Sequence, residues 1–364
     1  MNVIVAPAGF KGSIDASGAA EAIAAGVRTA GGHPVVIPVA DGGEGTLDAL
    51  VAGAGGTIMG VIARGPLGLP VRAHLGRLHD GTGVVEMAQA SGLMLVPARE
   101  RDAMRASSQG TGELIKGAIA RRPHTIVVGL GDSATVDGGM GLAKALGARF
   151  LDEANRPLAD GGGVLERLAR IEIDGLDERL GDVTLIAAAD VDAPLMDAAR
   201  VYAAQKGVKA EDLPLLERGL MNLARRLEDD LGAVGVADLP GAGAAGGCGA
   251  LLAALGATIR PGAQVVLDAL HFAERIEGAA LIITGEGRID AQTAQGKAPF
   301  AVARAARRAG IPCVAIAGQA TIAEGFDEVR TLAGHFGDAG EAMRNAPVGL
   351  EHVARRLVAE RIRA

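Results

Sequence analysis

The chain has 364 residues, 49% hydrophobic and 22% charged, with a formal net charge of −7 and no basic block. It is long enough for two ordinary domains with a real core, and its charge balance excludes nucleic acid as the main partner. Aromatic residues make up only 2%, with no Trp and Tyr202 the single Tyr, so stacking platforms for single strands are nearly absent and Val, Ile, Leu, Ala and Met must build the interior.

In chain order, residues 2–5 predict a first strand and residues 16–30 a helix, with Ser13 or Asp15 as its cap. The opening MNVIVAPAGFKGS has no charged stretch before an apolar run, so it is not read as a signal peptide. Residues 34–39 form a second strand, followed by Asp41-Gly42-Gly43-Glu44-Gly45-Thr46 and another helix. Strand candidates at 57–64, 83–87, 125–128 and 183–188 are separated by irregular, Gly- and Pro-rich connections. The end of the chain returns to the opening style, with strands at 281–284 and 312–317 and helices at 298–309 and 350–363.

This alternation predicts an α/β protein. The chain ends, 1–64 and 262–364, are expected to make one α/β domain, with 65–261 inserted as a second α/β domain and crossings near Gly65-Pro66 and Pro261-Gly262. The uncharged run 239–259 has membrane-spanning length, but Pro240 and its many Gly and Ala residues mark a packed helix, so no membrane is expected. Cys248 and Cys313 are far apart and read as small core residues of a reducing compartment. The expected location is the cytoplasm.

Polar residues gather where predicted strands end. Gly9-Phe10-Lys11-Gly12-Ser13 offers backbone N–H groups and a mobile positive charge to an anion, although an ordinary turn with a solvated lysine would use the same residues. Asp41 to Thr46 holds two acids among three glycines; helix capping by Asp41 and Glu44 is the plainer alternative. The segment Gly129 to Gly139, with Asp132, Ser133, Thr135 and Asp137, has the flexible backbone, hydroxyls and acids to hold a hydroxy acid or a phosphate. Asp190, after the strand at 183–188, can accept a hydroxyl proton or hold Mg²⁺, although an Asp forming the turn before Pro194 would use the same residue. The stretch LIITGEGRIDAQTAQGKAP (281–299) runs a strand into a Gly285-Glu286-Gly287 turn, followed by Arg288, Asp290, Gln292, Thr293 and Lys297. Such strand ends are where open α/β sheets place ligands. Gly241-Ala242-Gly243-Ala244-Ala245-Gly246 matches a dinucleotide fingerprint literally, with Asp268 at suitable spacing, but no clean strand precedes it. The seven histidines are scattered and predict no zinc site or catalytic triad.

Together these segments resemble the bacterial glycerate kinase (glycerate 2-kinase) family nearly end to end. The resemblance rests on Ala6-Pro7 with Phe10-Lys11-Gly12-Ser13, on Ala40 to Thr46, on Glu86-Met87-Ala88 with Ala90-Ser91-Gly92-Leu93, and on Gly110-Thr111-Gly112-Glu113-Leu114-Ile115. Ser133-Ala134-Thr135 with Asp137-Gly138-Gly139, residues 240–247 and residues 283–299 complete it. It implies ATP-dependent phosphorylation of a D-glycerate hydroxyl, 2-phosphoglycerate favoured over 3-phosphoglycerate, in a cleft between a flavodoxin-like domain and a second α/β domain. Departures from the family pattern are Ala8-Gly9 for Asp-Ser, Asp132 for Gly, Val136 for Asn and Ala193 for Asn. Ala203-Ala204 also stand before Gln205-Lys206-Gly207, where the family has Gly-Pro.

For such a reaction the expected catalytic residues are Lys11, Asp190 and Asp290. The expected contacts to substrate and phosphate are Ser13, Asp41, Gly42, Gly43, Glu44, Thr111, Ser133, Thr135, Asp137, Gly285, Glu286, Gly287, Arg288 and Lys297. ATP carries several negative charges, so Mg²⁺ is expected near Asp41, Asp190 or Glu286. A monomer or homodimer acting on glycerate and ATP is the expected state. The rival readings are an NAD-dependent oxidoreductase using the 241–246 glycines and a non-catalytic small-ligand sensor on a kinase scaffold.

Overall fold

The computed structural model describes residues 1–290 and 296–363. Its strands are β1 (Asn2–Pro7), β2 (His33–Val36), β3 (Gly56–Arg64), β4 (Pro70–Leu78), β5 (Gly83–Glu86), β6 (Thr125–Gly129), β7 (Arg149–Leu151), β8 (Arg170–Glu172), β9 (Thr184–Ala189), β10 (Thr258–Pro261), β11 (Leu281–Ile289), β12 (Cys313–Ala320) and β13 (Glu328–Thr331). The chain divides into two compact units: residues 1–41, 48–55 and 263–364, and residues 42–47 and 56–262.

The first unit is a parallel sheet of five strands in the order β13-β12-β11-β1-β2. Counted in chain order within the unit this is 2-1-3-4-5, the flavodoxin-like order, whose ligand crevice lies at the carboxyl ends of its first and third strands. Here those strands are β1 and β11. β1 beyond Asn2 and the first three residues of β11 are apolar, and both strands are buried over most of their length, as central strands covered on two faces must be. Val3, Val5 and Ile283 pack with Ile23 and Val27 of helix Ala16–Thr29 and with Leu350 and Leu357 of helix Ala346–Arg363. The first helix starts where Asp15 accepts a hydrogen bond from the Gly18 N–H at 2.7 Å. The two helices approach so closely at Gly26 that a Cβ there would lie 2.2 Å from the Glu351 carbonyl oxygen.

The second unit is a mixed sheet of six strands, β10-β9-β6-β5-β4-β3, with the β7-β8 hairpin beside its own helices. β3-β4 and β4-β5 are antiparallel, while β5, β6, β9 and β10 run parallel. Residues 56–64, expected with the chain ends, pair along their whole length with β4 and so belong to this unit. The core joins Leu114, Ile126, Val128, Phe150, Leu223 and Leu251. In the uncharged run 239–259 the helix is only Ala244–Ala254, entirely buried through Leu252. Among the described residues no helix is long and apolar enough to cross a membrane.

Gly285-Glu286-Gly287 is not the turn the sequence predicted. β11 runs on to Ile289, with Gly285 paired to Ile316, Glu286 to Ala317 and Arg288 to Gln319. A Cβ at Gly285 would lie 1.9 Å from the Ile316 carbonyl oxygen, so glycine there permits close strand contact and not a bend.

Candidate functional site

In the first unit, the β1 loop lies along the end of β11. The Ala8 N–H donates to the Gly285 carbonyl at 2.8 Å, and a Cβ on Gly287 would sit 3.3 Å from the Lys11 nitrogen. Lys11 and the exposed Arg288 thus stand at the topological switch point, with Arg288 Nε 3.2 Å from Asp290 Oδ2. Glu286 is largely buried within β11. Ser13 is exposed and donates its hydroxyl to the Met343 carbonyl. Lys297 immediately precedes the helix Ala298–Arg308 and is half-buried. Gln292 and Thr293 lie outside the described residues.

In the second unit, residues 42–47 wrap over the carboxyl ends of the parallel strands. The Gly131 N–H donates to the Gly42 carbonyl at 3.0 Å and the Glu44 N–H to Asp132 Oδ2 at 3.0 Å. Gly42 has φ +98° and would place a Cβ 2.6 Å from the Ala188 oxygen, so only glycine serves there. Thr46 accepts from the Gly42 N–H and donates to the Gly43 carbonyl. Glu86, at the end of β5 and 1% exposed, accepts from the Gly45 and Leu47 N–H groups at 3.2 and 3.0 Å. This carboxylate fastens the acidic loop to the sheet; the sequence names it only within the family pattern and gives it no role, although an acid closing an apolar strand is a readable signal. Asp41 is half-buried and Glu44 exposed.

The segment after β6 is held from within. Asp137 is fully buried: Oδ2 accepts from the Ser108 N–H, the Ser108 hydroxyl and the Gly141 N–H, and Oδ1 from the Gly139 N–H. Burial raises its carboxyl pKa above the ordinary value, and the four donors oppose that rise. Offered by the sequence as a ligand contact, Asp137 is the internal anchor of its loop. Thr111 is likewise interior, donating to Ser91 Oγ at 2.8 Å. Asp132 adopts φ +56°, a conformation Asp tolerates better than most residues, where the family pattern has Gly. The 241–246 glycines serve packing: the short helix Val236–Asp238, not a strand, leads into them, and a Cβ on Gly246 would lie 2.0 Å from the Thr135 oxygen. The context a dinucleotide fold requires is therefore missing.

Ser133 and Thr135 meet at a residue the sequence did not single out, on which Asp190 acts electrostatically. Lys206, only 4% exposed, donates from Nζ to Ser133 Oγ at 2.7 Å and to the Thr135 carbonyl at 3.0 Å. The exposed Asp190 follows β9, and its Oδ2 is 3.2 Å from where a Gly131 Cβ would stand. Burial lowers the Lys206 pKa from 10.5 to about 8, opposed by the charges of Asp190, Asp137 and Asp132 and by the neighbouring Cys248. The Cys248 thiol, also buried, is pushed well above its usual range. A cavity of about 400 Å³, lined in part by Val191, Leu239, Pro240 and Ile259, opens beside the ends of β9 and β10. Among the described residues no three His, Cys, Asp or Glu side chains cluster to hold a metal ion.

Lys206 gives a pH prediction with a fixed sign. The unfolded chain keeps this lysine protonated to above pH 10, whereas the folded protein releases the proton near 8. Between these values the unfolded state binds more protons, so this group's contribution makes stability rise with pH. Urea unfolding of the protein and of Lys206→Met at pH 7.5 and 9.5 should show the wild type gaining on the variant at the higher pH. An unchanged difference would mean that Lys206 does not lose its proton in that window.

Residues 3–362 match the family model described as the glycerate kinase family. The chain belongs to the glycerate kinase family. By that membership it is a kinase. It is 42% identical to the glycerate kinase of Bacillus subtilis strain 168, over 99% of this chain and 97% of that protein. It is 41% identical to the glycerate 2-kinase of Escherichia coli K12, over the same shares. A crystal structure from Salmonella typhimurium LT2, provisionally named glycerate kinase 2, superposes with a TM-score of 0.88 at 41% identity, covering 100% of this chain and 98% of that one. Two of the departures from the family pattern have a visible accommodation in this structure. Asp132 keeps the left-handed backbone, and Ala193 still offers its carbonyl to the Gly243 N–H at 2.8 Å.

Proposed function

We propose that the protein transfers the γ-phosphoryl group of ATP to a hydroxyl of D-glycerate, giving 2-phosphoglycerate in preference to 3-phosphoglycerate. One observation carries the reading: the strand-end carboxylate of Asp190 and the Lys206–Ser133 pair meet on a single glycine-rich loop. Together they offer an acceptor for a hydroxyl proton and a cation for an acid. The name of the Escherichia coli relative supports the 2-phospho product.

In this reading Asp190 accepts the proton of the attacking hydroxyl, with Asp290 next in line. Lys11, Arg288 and Lys297 supply positive charge to the phosphates, with Ser13, Glu286 and the Gly285–Gly287 backbone around them. Pairing within β11 ties up part of that backbone, so Lys11 and its loop carry most of this role. The 42–44 loop, with Asp41, lines the acid's side together with Ser133 and Thr135. Thr111 and Asp137 act by holding that side in shape.

Mg²⁺ commonly takes only one or two protein carboxylates, with substrate phosphates and water completing its shell. The exposed Asp190 fits that donor set, and Asp41 and Glu286 are the further candidates. Bound with ATP, the ion would neutralise phosphate charge.

Incubation with ATP, Mg²⁺ and D-glycerate should release ADP only when the acid is present. A protein that binds D-glycerate yet releases no ADP would be a sensor, and the kinase reading would fall.

A further inference from the structure

The ammonium of Lys206 has donors and no acceptor, so its 2.7 Å contact makes the Ser133 oxygen an acceptor. The serine's own hydrogen is then left to donate elsewhere, and no acceptor for it is found among the described residues. Next to it, the Thr135 hydroxyl is completely buried and meets no hydrogen-bond partner among the described residues. Lys206 has used two of its three hydrogens, on Ser133 and on the Thr135 carbonyl. This small region therefore holds spare donors and one positive charge. The backbone keeps it rigid: Ser133 bridges to Gly92, and the Ala134 N–H donates to the Ser91 carbonyl at 2.9 Å.

Charge decides which anion suits it. Asp132, Asp137 and Asp190 all act electrostatically on Lys206, so without a metal ion between them a triphosphate would be opposed far more strongly than a single carboxylate. A single carboxylate balances one lysine, and the hydroxyl groups of the same molecule can be met by the exposed Asp190. We propose that Ser133 binds the carboxylate of the hydroxy-acid substrate and that Lys206 is its positioning residue, turning the serine hydrogen toward that carboxylate and supplying the charge. The inference rests on the kinase reading above and adds the end of the substrate at which the acid is held.

Steady-state kinetics and calorimetry with D-glycerate and with ATP test it. Ser133→Ala removes one oxygen atom and should raise the KM and Kd for D-glycerate tenfold or more, with the KM for ATP changed less than twofold. Lys206→Met should do the same, and the double variant should be no worse than the poorer single one, since the two act as a unit. Ser133→Thr keeps the hydroxyl and should recover part of the affinity. Should Lys206→Met fail to fold, Ser133→Ala decides alone. A D-glycerate KM within twofold of wild type in Ser133→Ala overturns the inference, as does a loss that falls on ATP instead. If the wild type binds D-glycerate, Ser133→Ala loses it and no ADP is ever formed, the inference stands and the kinase reading fails. A wild type that binds no D-glycerate overturns both.

Discussion

Asp190→Asn is expected to lower kcat for D-glycerate phosphorylation about 10²–10³-fold, a loss of roughly 2.7–4 kcal/mol in the transition state. The substitution keeps shape and hydrogen-bonding reach but removes the oxygen that can accept a proton. Asp190 is exposed and closes β9, so the change buries nothing new and leaves the core intact. Its KM for D-glycerate should move little, because Ser133 and Lys206 are assigned the binding of the carboxylate. Turnover within twofold of wild type, in a protein with unchanged circular dichroism, would remove Asp190 from proton transfer and turn attention to Asp290.

The largest expected loss of stability is at Asp137. Asp137→Ala strands the buried N–H groups of Ser108, Gly139 and Gly141, together with the Ser108 hydroxyl. Each buried polar group left unsatisfied costs about 1–3 kcal/mol, so a total near 4 kcal/mol is expected even if water reaches some of them. The Ser108 oxygen also accepts from the Leu142 N–H, which couples the loop to the start of helix Met140–Leu146. The variant should unfold several degrees earlier and lose activity in proportion to its unfolded fraction. A ligand-contact residue would behave otherwise: normal melting with a raised KM. A melting temperature within a degree of wild type would contradict the anchor role.

Much of the architecture could be read from residue pattern because it follows from short-range rules. Apolar runs at 2–5, 125–128 and 281–284 mark parallel strands, and Asp15 marks a helix start. The loops at the strand ends were legible because glycine, acids and hydroxyls cluster there. What escaped depends on long-range placement. The missed β4 carries Arg72 and His74, whose alternation with buried Ala73 and Leu75 is the mark of a strand with one wet face. Lys206 follows exposed Ala204 and Gln205, and nothing local tells that its side chain turns inward to Ser133, 73 residues away. The glycines of β11 imitated a turn because the sequence cannot show that Ile316 and the β1 loop need the missing side chains. The anchoring role of Asp137 is hidden for the same reason: its partner Ser108 is 29 residues distant.

The central claim is phosphoryl transfer to the 2-hydroxyl of D-glycerate, and phosphorus NMR of the reaction product tests it most directly. With ATP, Mg²⁺ and D-glycerate, the account predicts a new phosphomonoester signal coupled to the single proton on carbon 2, rising as ADP forms. Coupling to the two protons of carbon 3 would contradict the position, and ATP that stays intact beside bound D-glycerate would contradict the reaction itself.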